Sequence, residues 1–404
     1  MKWETVKLGD ICSVITKGTT PSNIGEAFTE SGINYIRSEM LTSAKFISGE
    51  FLHISEETHN KLKRSQLQAN DILFSMAGVY LGKTAILRPE DVPANTNQAV
   101  ALIRIDEAKA NPEYVYYSLN IPQTVKLANK IQSQSAQPNI NLKQIGNLEI
   151  PLPTFEKQEI IVGILSAYDN LIENNQKQIK LLEEAAQRLY KEWFLDLRFP
   201  GYENTPVHDG VPEGWERYPF SQKVSVMSGG TPKTEVREYY GGSIPFFSPK
   251  DYAGSFFAFK TATTISDVGL ANCNSPLYPE NTIIITARGT VGKTVILAVP
   301  MAMNQSCYAL KCDELNLPYY LFFALNAEVQ KLKTMSNGGV FDTIIVKTFD
   351  NIEISFPANN LAASFEKTVS PIMEQIKTKI LENMTLTEAR DRLLPKLMSG
   401  EIEV

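Results

Sequence analysis

Apolar residues follow two different periods along the chain, and the change of period separates β-rich segments from helical ones. Within the first 155 residues, apolar residues occur in short runs broken by Gly, Pro, Asn and Ser, for example at residues 72–76 and 84–87. Such runs predict short strands joined by hairpins. From Ile161 onward the apolar positions recur every three or four residues, which predicts a long amphipathic helix.

The apolar positions of this first helix form a narrow seam. Their spacing alternates between four and three residues over more than four heptads, which is typical of a coiled coil. At 1.5 Å per residue, 33 residues of helix would span about 50 Å. The seam comprises Ile161, Leu165, Tyr168, Ile172, Asn175, Ile179, Leu182, Ala186, Leu189 and Trp193.

A second helix with the same register is predicted near the carboxyl end. Pro371 predicts a bend or a restart within it. Two helices that must each bury one face pack most simply on each other, with Asn175 and Asn383 as polar contacts that set the register. The alternative is that each helix packs on its own globular part. The second seam comprises Phe365, Val369, Ile372, Ile376, Lys379, Asn383, Leu386, Arg390, Leu393 and Leu397.

The β-rich segments are two copies of one pattern. Five blocks occur twice in the same order, and their offset slides from 212 to 204 through small deletions. Two copies of about 200 residues predict tandem domains rather than a solenoid. The paired blocks are 3–4 with 215–216, 14–19 with 226–231, 82–87 with 292–297, 97–98 with 304–305, and 143–153 with 347–357.

The repeat and the helices together predict an α+β chain. Two β-rich domains stand in tandem pseudo-repeat, and a long helix follows each of them. A stretch rich in Pro and Gly reads as a connector that reverses the chain between the copies. The predicted boundaries are 1–155 for the first domain, 156–199 for the first helix, 200–214 for the linker, 215–357 for the second domain and 358–404 for the second helix.

Composition narrows the possible partners and compartments. The 404 residues carry a net charge of −6, and no segment is basic overall, which argues against a simple polyanion binder. Four cysteines without a C-x-x-C pattern and three scattered histidines argue against a zinc cluster and fit a reducing compartment. The start of the chain lacks an apolar signal-peptide region and no stretch is long enough to span a bilayer, so we expect a cytoplasmic protein without membrane contact.

Two strings resemble a relaxed phosphate-binding loop. They are Ala-Gly-Val-Tyr-Leu-Gly-Lys-Thr at 77–84 and Ala-Arg-Gly-Thr-Val-Gly-Lys-Thr at 287–294. A P-loop requires a helix directly after the lysine, whereas β-like residues follow here, so we predict hairpin turns. Lys83, Lys293 and Arg288 then become candidates for phosphate contacts. The sequence contains no G-x-S-x-G, H-E-x-x-H or Asn-Pro-Pro-Tyr motif, and we expect no catalytic residue.

Several polar loops have the chemistry to read bases. The amides of Asn97-Gln98 and Asn304-Gln305 could bind adenine, although they could equally brace a strand end. Residues 133–139 correspond to 335–342 with divergent polar content, and Arg37-Ser38 corresponds to Ser248-Pro249. Divergent positions on a repeated scaffold suit the reading of two different sequences, and free drift in exposed loops is the alternative.

These features resemble the specificity (S) subunit of Type I restriction-modification enzymes. The resemblance rests on the tandem plan, on the linker Phe-Pro-Gly-Tyr-Glu at 199–203 through Pro-Glu-Gly-Trp at 212–215, on the end at 393–402, and on the hairpin at 288–293. The first copy departs from that hairpin, because Gly78-Val79-Tyr80 replaces Arg288-Gly289-Thr290. An arginine contact is therefore not implied in the first copy.

The resemblance implies a non-catalytic subunit that recognises double-stranded DNA. Each β-rich part would be a target recognition domain for one half of a split site, and the helices would pair as an antiparallel coiled coil. Two methyltransferase (M) subunits with S-adenosylmethionine and restriction (R) subunits with ATP would join it, whereas the chain itself would hold no cofactor or metal. Candidate DNA-contacting residues are Lys17, Thr19, Arg37, Ser38, Lys83, Asn97, Gln98, Ser135, Gln137, Asn139, Thr231, Lys233, Ser248, Lys250, Arg288, Lys293, Asn304, Gln305 and Asn337.

Two other functions remain open from the residues alone. The first is a P-loop-type NTPase, which nucleotide binding by the isolated chain would reveal. The second is a β-domain protein that binds a carbohydrate or another protein and uses the coiled coil as a spacer. Absence of DNA binding even with M subunits present would favour that second alternative.

Overall fold

The first β-rich part, here called domain 1, contains nine short strands and three α-helices within the described residues. The computed structural model describes residues 3–42, 44–122, 124–125, 139–312, 317–335, 343–357 and 359–404. Domain 1 has strands β1 Thr5–Lys7, β2 Cys12–Lys17, β3 Ile33–Ile36, β4 Leu52–Ile54, β5 Ile72–Ser75, β6 Thr84–Ile86, β7 Ala94–Thr96, β8 Val100–Ile105 and β9 Glu149–Pro151. Its helices are α1 Glu56–Lys61, α2 Pro112–Leu119 and α3 Leu142–Gly146.

The strands of domain 1 form three sheets. Four strands pair in the order β2-β8-β5-β6, and three pair in the order β4-β3-β7. Strands β3 and β7 run parallel, whereas the pairs of the four-stranded sheet are antiparallel. Strands β1 and β9 form a separate antiparallel pair in which Val6 lies opposite Ile150. The first and last strands of domain 1 therefore lie side by side.

A long helix and a short linker follow domain 1. Helix α4, Phe155–Tyr190, continues as one π-helical turn over Lys191–Leu195. Within the linker, β10 Val207–His208 pairs with β11 Val211–Pro212. Asp209 and Gly210 form the turn with φ of 49° and 75°. An Asp-Gly pair favours this two-residue turn because both positions need a positive φ.

The second β-rich part, domain 2, repeats the topology of domain 1. Its five-stranded sheet has the order β13-β20-β17-β18-β15 and its three-stranded sheet the order β16-β14-β19, while β12 pairs with β21. The strands are β12 Glu216–Pro219, β13 Ser225–Ser228, β14 Tyr240–Phe247, β15 Phe257–Ala258, β16 Thr264–Ile265, β17 Ile283–Thr286, β18 Thr294–Leu297, β19 Ala302–Met303, β20 Cys307–Lys311 and β21 Glu353–Phe356. The helices are α5 Phe220–Lys223, α6 Asp267–Ala271 and α7 Pro318–Met335.

Helix α8, Asn359–Ser399, ends the chain's regular structure. It runs without interruption through Pro371, so the predicted restart at this residue is wrong. Pro371 is exposed and costs the helix one backbone donor. The Ser370 hydroxyl donates to the carbonyl of Glu366 in the same stretch (2.6 Å). No helix in the described part of the chain is both long and apolar enough to cross a bilayer.

The chain divides into two compact units, and both boundaries fall inside the long helices. Unit 1 comprises Met1–Asn174 and Asn383–Val404, and unit 2 comprises Asn175–Glu382. Each unit therefore contains one β-rich domain together with a segment of α4 and a segment of α8. Each long helix contributes residues to the cores of both units. The predicted boundaries, which treat each long helix as a segment separate from the β-rich domains, do not include this shared packing.

The helix segments pack antiparallel within each unit. In unit 1, Asp169 pairs with Arg390 and the Asn383 amide donates to the carbonyl of Ile172 (3.3 Å). In unit 2, the Asn175 amide donates to Glu382 (3.2 Å), and the ring of Tyr190 lies 5.8 Å from that of Phe365. Partner numbers fall on α8 as they rise on α4, which defines an antiparallel pair. The expected polar contacts of Asn175 and Asn383 are thus confirmed.

The seam residues also pack on the β-rich domains. Ile161, Leu165 and Leu397 join the core of domain 1, whereas Phe365 and Val369 join the core of domain 2. Helix–helix packing and packing on the globular part therefore occur together rather than as alternatives. The remaining seam positions are buried or half-buried, namely Tyr168, Ile172, Asn175, Ile179, Leu182, Ala186, Leu189, Trp193, Ile372, Ile376, Lys379, Asn383, Leu386, Arg390 and Leu393.

Candidate functional site

Both glycine-lysine-threonine strings form the turns of β-hairpins. Strand β5 pairs with β6 so that Phe74 lies opposite Thr84, and β17 pairs with β18 so that Ile285 lies opposite Thr294. The residues after each lysine are therefore strands, and the predicted hairpins are confirmed. A helix that could cradle phosphates does not follow either string.

Backbone hydrogen bonds give the exact correspondence between the two hairpins. Met76 donates to the carbonyl of Ala99 (2.7 Å), and Ala287 donates to that of Ser306 (2.7 Å). Met76 therefore corresponds to Ala287, and the next position pairs Ala77 with Arg288. The expected correspondence of Gly78 with Arg288 is wrong by one residue, because the hairpin of domain 1 contains one residue more.

Four loops of domain 1 emerge at the same edge of its sheets. Strand β3 lies parallel to β7 with Ile36 opposite Thr96, so the loops after both strands begin side by side. Thr19 donates to the carbonyl of Thr96 (3.1 Å), so the loop after β2 lies at this edge as well. Ser75 lies opposite Val100, so the hairpin between β5 and β6 also turns at this edge. We call residues 18–21, 37–39, 76–82 and 97–99 the loop edge of domain 1.

Domain 2 has the same loop edge. Phe247 of β14 lies opposite Met303 of β19 in a parallel pair, and Asn304 donates to the carbonyl of Phe247 (2.9 Å). Gly230 donates to the carbonyl of Met303 (3.1 Å). The corresponding loops are residues 229–232, 248–250, 287–292 and 304–306.

The structure brings most of the sequence-predicted residues to these two edges. On or beside the edge of domain 1 lie Lys17, Thr19, Arg37, Ser38, Asn97 and Gln98, and Asn139 forms a β-bridge with Ala77 of the hairpin. On the edge of domain 2 lie Thr231, Ser248, Lys250, Arg288, Asn304 and Gln305, with Lys233 two residues after Thr231. Ser135, Gln137 and Asn337 lie outside the described residues.

Lys83 and Lys293 lie in a different environment from the other candidates. Lys83 lines a cavity of about 450 Å³ together with Tyr117, Asp169 and Arg390. Lys293 lines a cavity of about 370 Å³ with Glu183, and its ammonium lies 5.6 Å from the ring centre of Tyr252. Both lysines therefore face long-helix residues of their own unit, a placement that hairpin periodicity could not predict.

The repeated Asn-Gln pairs brace their loops. The side-chain oxygen of Asn97 accepts from the backbone of Ala99 (3.0 Å), and that of Asn304 accepts from Ser306 (3.0 Å). The side-chain oxygen of Gln98 accepts from the hydroxyl of Thr20. Both asparagines therefore stabilise their own loops, which is the second of the two roles expected from the sequence. Both glutamines are exposed at the loop surface.

Thr20 is a loop-edge residue that sequence reasoning missed. The hydroxyl of Thr231 donates to the side-chain oxygen of Gln305, as the hydroxyl of Thr20 does to that of Gln98. Thr20, not Thr19, is therefore the counterpart of Thr231. The proline that directly follows each of these threonines is the sequence signal that could have revealed the correct alignment.

The electrostatic character of the two edges differs. In domain 1, Arg37 forms an ion pair with Glu39 (2.9 Å), and both side chains are about two-fifths exposed. The backbone pattern of the following turn places Lys250 of domain 2 where domain 1 has Glu39. Arg64, which sequence analysis did not select, reaches the Thr19 hydroxyl (3.5 Å). One position thus carries opposite charges on the two edges.

A buried tyrosine anchors the first loop. The Tyr35 hydroxyl donates to the carbonyl of Thr19 (3.1 Å). Burial raises the pKa of Tyr35 to about 12, so the hydroxyl stays protonated and able to donate at neutral pH. In domain 2 a different tyrosine contacts this loop: the Tyr240 hydroxyl donates to the carbonyl of Pro232 (2.8 Å). In both domains a tyrosine of the neighbouring strand therefore holds the first loop.

A methyl group at Gly18 should disrupt the loop edge of domain 1. A Cβ there would lie 1.8 Å from the carbonyl oxygen of Thr96, so Gly18→Ala must displace one of the two loops. We expect a loss of roughly 1–3 kcal/mol in the stability of unit 1, measured by thermal unfolding. Gly163→Ala is the matched control, because nothing lies within 4 Å of its Cβ and helix propensity favours Ala by about 1 kcal/mol. Equal melting temperatures for both variants would contradict the tight approach.

Comparison with known proteins identifies the class to which this fold belongs. The family model described as the Type I restriction modification DNA specificity domain matches residues 1–184 and 212–386. The chain therefore belongs to this family and contains two tandem copies of its domain. Membership confirms the predicted family, the tandem α+β fold and the DNA-recognition role.

Individual relatives extend over nearly the whole chain. It is 26% identical over 416 residues to the Type I restriction enzyme MjaIX specificity subunit of Methanocaldococcus jannaschii, covering 100% of this chain and 94% of the relative. It is 25% identical over 471 residues to the HindI specificity subunit of Haemophilus influenzae, covering 99% of each. The crystal structure of the S subunit from M. genitalium shares the fold, with a TM-score of 0.57, 17% identity, and coverage of 98% and 96%. Specificity subunits are generally non-catalytic.

Proposed function

We propose that each loop edge reads one half of a bipartite DNA site. The observation that carries this proposal is the repetition of one edge geometry with different side chains, such as Glu39 in one copy and Lys250 in the other. A repeated scaffold with different polar groups suits direct readout of two different base sequences, because base edges in the major groove differ in their donor and acceptor pattern.

The paired long helices set the distance between the two half-sites. Helix α4 has 36 residues and is therefore about 54 Å long, which exceeds one turn of B-DNA, about 34–36 Å. A coiled-coil seam resists bending, and each unit holds its segments of α4 and α8 through buried contacts. These features support a rigid spacer rather than a flexible joint.

The chain acts as the DNA-recognition subunit of a larger complex. Its net charge of −6 supports the recruitment of partners that supply phosphate contacts, and we assign that role to two M subunits docked on the helices. Those subunits bind S-adenosylmethionine and methylate adenine, and R subunits with ATP add cleavage. All four cysteines are free thiols, which suits action in the reducing cytoplasm.

Sequencing of modified adenines tests this function. A host that lacks modification receives the chain together with its partner M subunit. We expect methylation at one bipartite motif with a fixed spacer, and no methylation when either component is omitted. Methylation at a single continuous motif would overturn the bipartite reading, and methylation without the chain would overturn its role in recognition.

The isolated chain should bind neither ATP nor S-adenosylmethionine. Both glycine-lysine-threonine strings lead into strands β6 and β18, so no helix N-terminus is presented to a phosphate there. Isothermal titration calorimetry at ligand concentrations up to millimolar should detect no saturable heat. Micromolar binding of ATP would restore the NTPase alternative, and micromolar binding of S-adenosylmethionine would move the methyl-donor site onto this chain.

A further inference from the structure

The hairpin of domain 1 carries an exposed apolar tip. Val79 is 90% exposed, the largest exposed fraction among large apolar side chains in the described residues. Its neighbour Tyr80 is 36% exposed. Both side chains belong to the loop between Ser75 and Gly82, which is one residue longer than the corresponding loop of domain 2. The two side chains are adjacent, so this hairpin presents apolar rather than charged surface at the loop edge of domain 1.

The backbone of this tip is held in one conformation. Gly78 and Gly82 have φ of 72° and 78°, values that glycine adopts without strain. Ser75 donates to the carbonyl of Lys83 (2.8 Å), and Lys83 donates to that of Tyr80 (2.9 Å). Val79 therefore projects from a closed turn, so little conformational entropy is lost when it contacts a partner.

The tip stands among groups that suit base recognition. Ala77, two residues before Val79, forms a β-bridge with Asn139, whose side chain is exposed. An asparagine amide can bind adenine through two hydrogen bonds, and an apolar side chain can contact the methyl group of the paired thymine. The same turn in domain 2 presents exposed Arg288 and Thr290, and arginine is the usual partner of guanine.

We propose that Val79 is a specificity-determining residue that contacts a thymine 5-methyl group in the half-site of domain 1. The proposal rests on the proposed function, since it requires that the loop edge faces the major groove. The apolar tip selects thymine over cytosine at one base pair, because only thymine presents a methyl group there. The cationic tip of domain 2 confers no such preference.

Replacement of thymine by deoxyuridine tests the contact directly, because deoxyuridine lacks only the methyl group. The complex of the full chain with its M subunits is titrated against duplexes that carry one such replacement at each thymine of the motif. We expect one position in the first half-site to weaken wild-type binding by roughly fourfold, the value for one buried methyl group. The Val79→Ala complex should bind thymine and deoxyuridine duplexes equally at that position.

Matched variants separate the possible outcomes. Arg288→Ala should leave the deoxyuridine effect in the first half-site unchanged and weaken binding through the second half-site. The proposal is overturned if Val79→Ala retains the wild-type deoxyuridine effect, or if the effect is absent from the wild type at every position. Failure of the proposed function itself is distinguishable, because the wild-type complex would then show no preference for any bipartite duplex.

Discussion

Insertion of four residues into α4 should lengthen the spacing between the two half-sites by about one or two base pairs. The insertion is a second copy of residues 175–178, placed where unit 1 ends and unit 2 begins. Four helical residues add about 6 Å, and one base pair of B-DNA rises about 3.4 Å. The half-site sequences themselves should stay unchanged, because both β-rich domains are left intact. Sequencing of modified adenines measures both quantities at once.

The insertion carries a structural cost that a control must separate. Four residues complete slightly more than one helical turn, so the seam beyond the insertion rotates and the activity should fall. Leu171→Ala serves as the control, since its side chain is 52% exposed and the substitution changes sequence without changing length. An active insertion variant that methylates sites with the original spacing would show that the helices do not set the distance.

Removal of the Asp169 carboxylate should cost unit 1 roughly 3–5 kcal/mol of stability. Asp169 accepts from the Arg390 guanidinium (2.5 Å) and from the Tyr117 hydroxyl (2.5 Å). The side chains of Asp169 and Arg390 are 4% and 14% exposed. Asp169→Ala therefore leaves a nearly buried charge and a buried hydroxyl without this partner. Chemical denaturation of the full chain gives the difference, with the lower end expected because Arg390 also contacts Asp391 (2.8 Å).

Two further variants show whether burial is the cause. Glu388→Ala removes an ion pair with Arg392 of the same helix (2.6 Å), whose two side chains, Glu388 and Arg392, are 63% and 78% exposed. Because water screens such a pair, we expect the free energy of unfolding to change by less than about 1 kcal/mol. The triple variant Asp169→Leu, Arg390→Met, Tyr117→Phe should recover much of the loss, since a buried pair can be replaced by apolar groups. Equal losses for Asp169→Ala and Glu388→Ala would contradict this account.

Much of the fold is readable from the sequence because the pattern is periodic and occurs twice. The hairpins follow from β-like residues after Lys83 and Lys293, and the seam of each long helix follows from heptad spacing. The antiparallel direction of the helix pair is instead an implication of the family resemblance. Periodicity shows which residues of a helix are buried, however, and not what they are buried against. It selected Leu189 and Trp193, whereas the more deeply buried Tyr190 and Phe194 complete the core of unit 2.

The candidate site was predictable only in part. The repeat in the sequence identified the Asn97-Gln98 turn. Arg37 lies beside this turn because β3 pairs with β7. A single sequence does not show which distant strands pair, so this proximity was not predictable. A single extra residue in one hairpin shifted the assignment of Arg288. Similarly, nothing in the spacing of Arg64 indicates that it reaches the loop after β2.

Exchange of domain 2 tests the central claim, that two loop edges read two half-sites independently. Residues 200–357 are replaced by the corresponding segment of a family member with a different target, and the chimera is expressed with the M subunit. Recovery of the M subunit with the tagged chimera confirms assembly before modified adenines are sequenced. The account predicts a new sequence in one half of the methylated motif, with the other half and the spacing unchanged. Changes in both halves, or an unaltered motif, would contradict it.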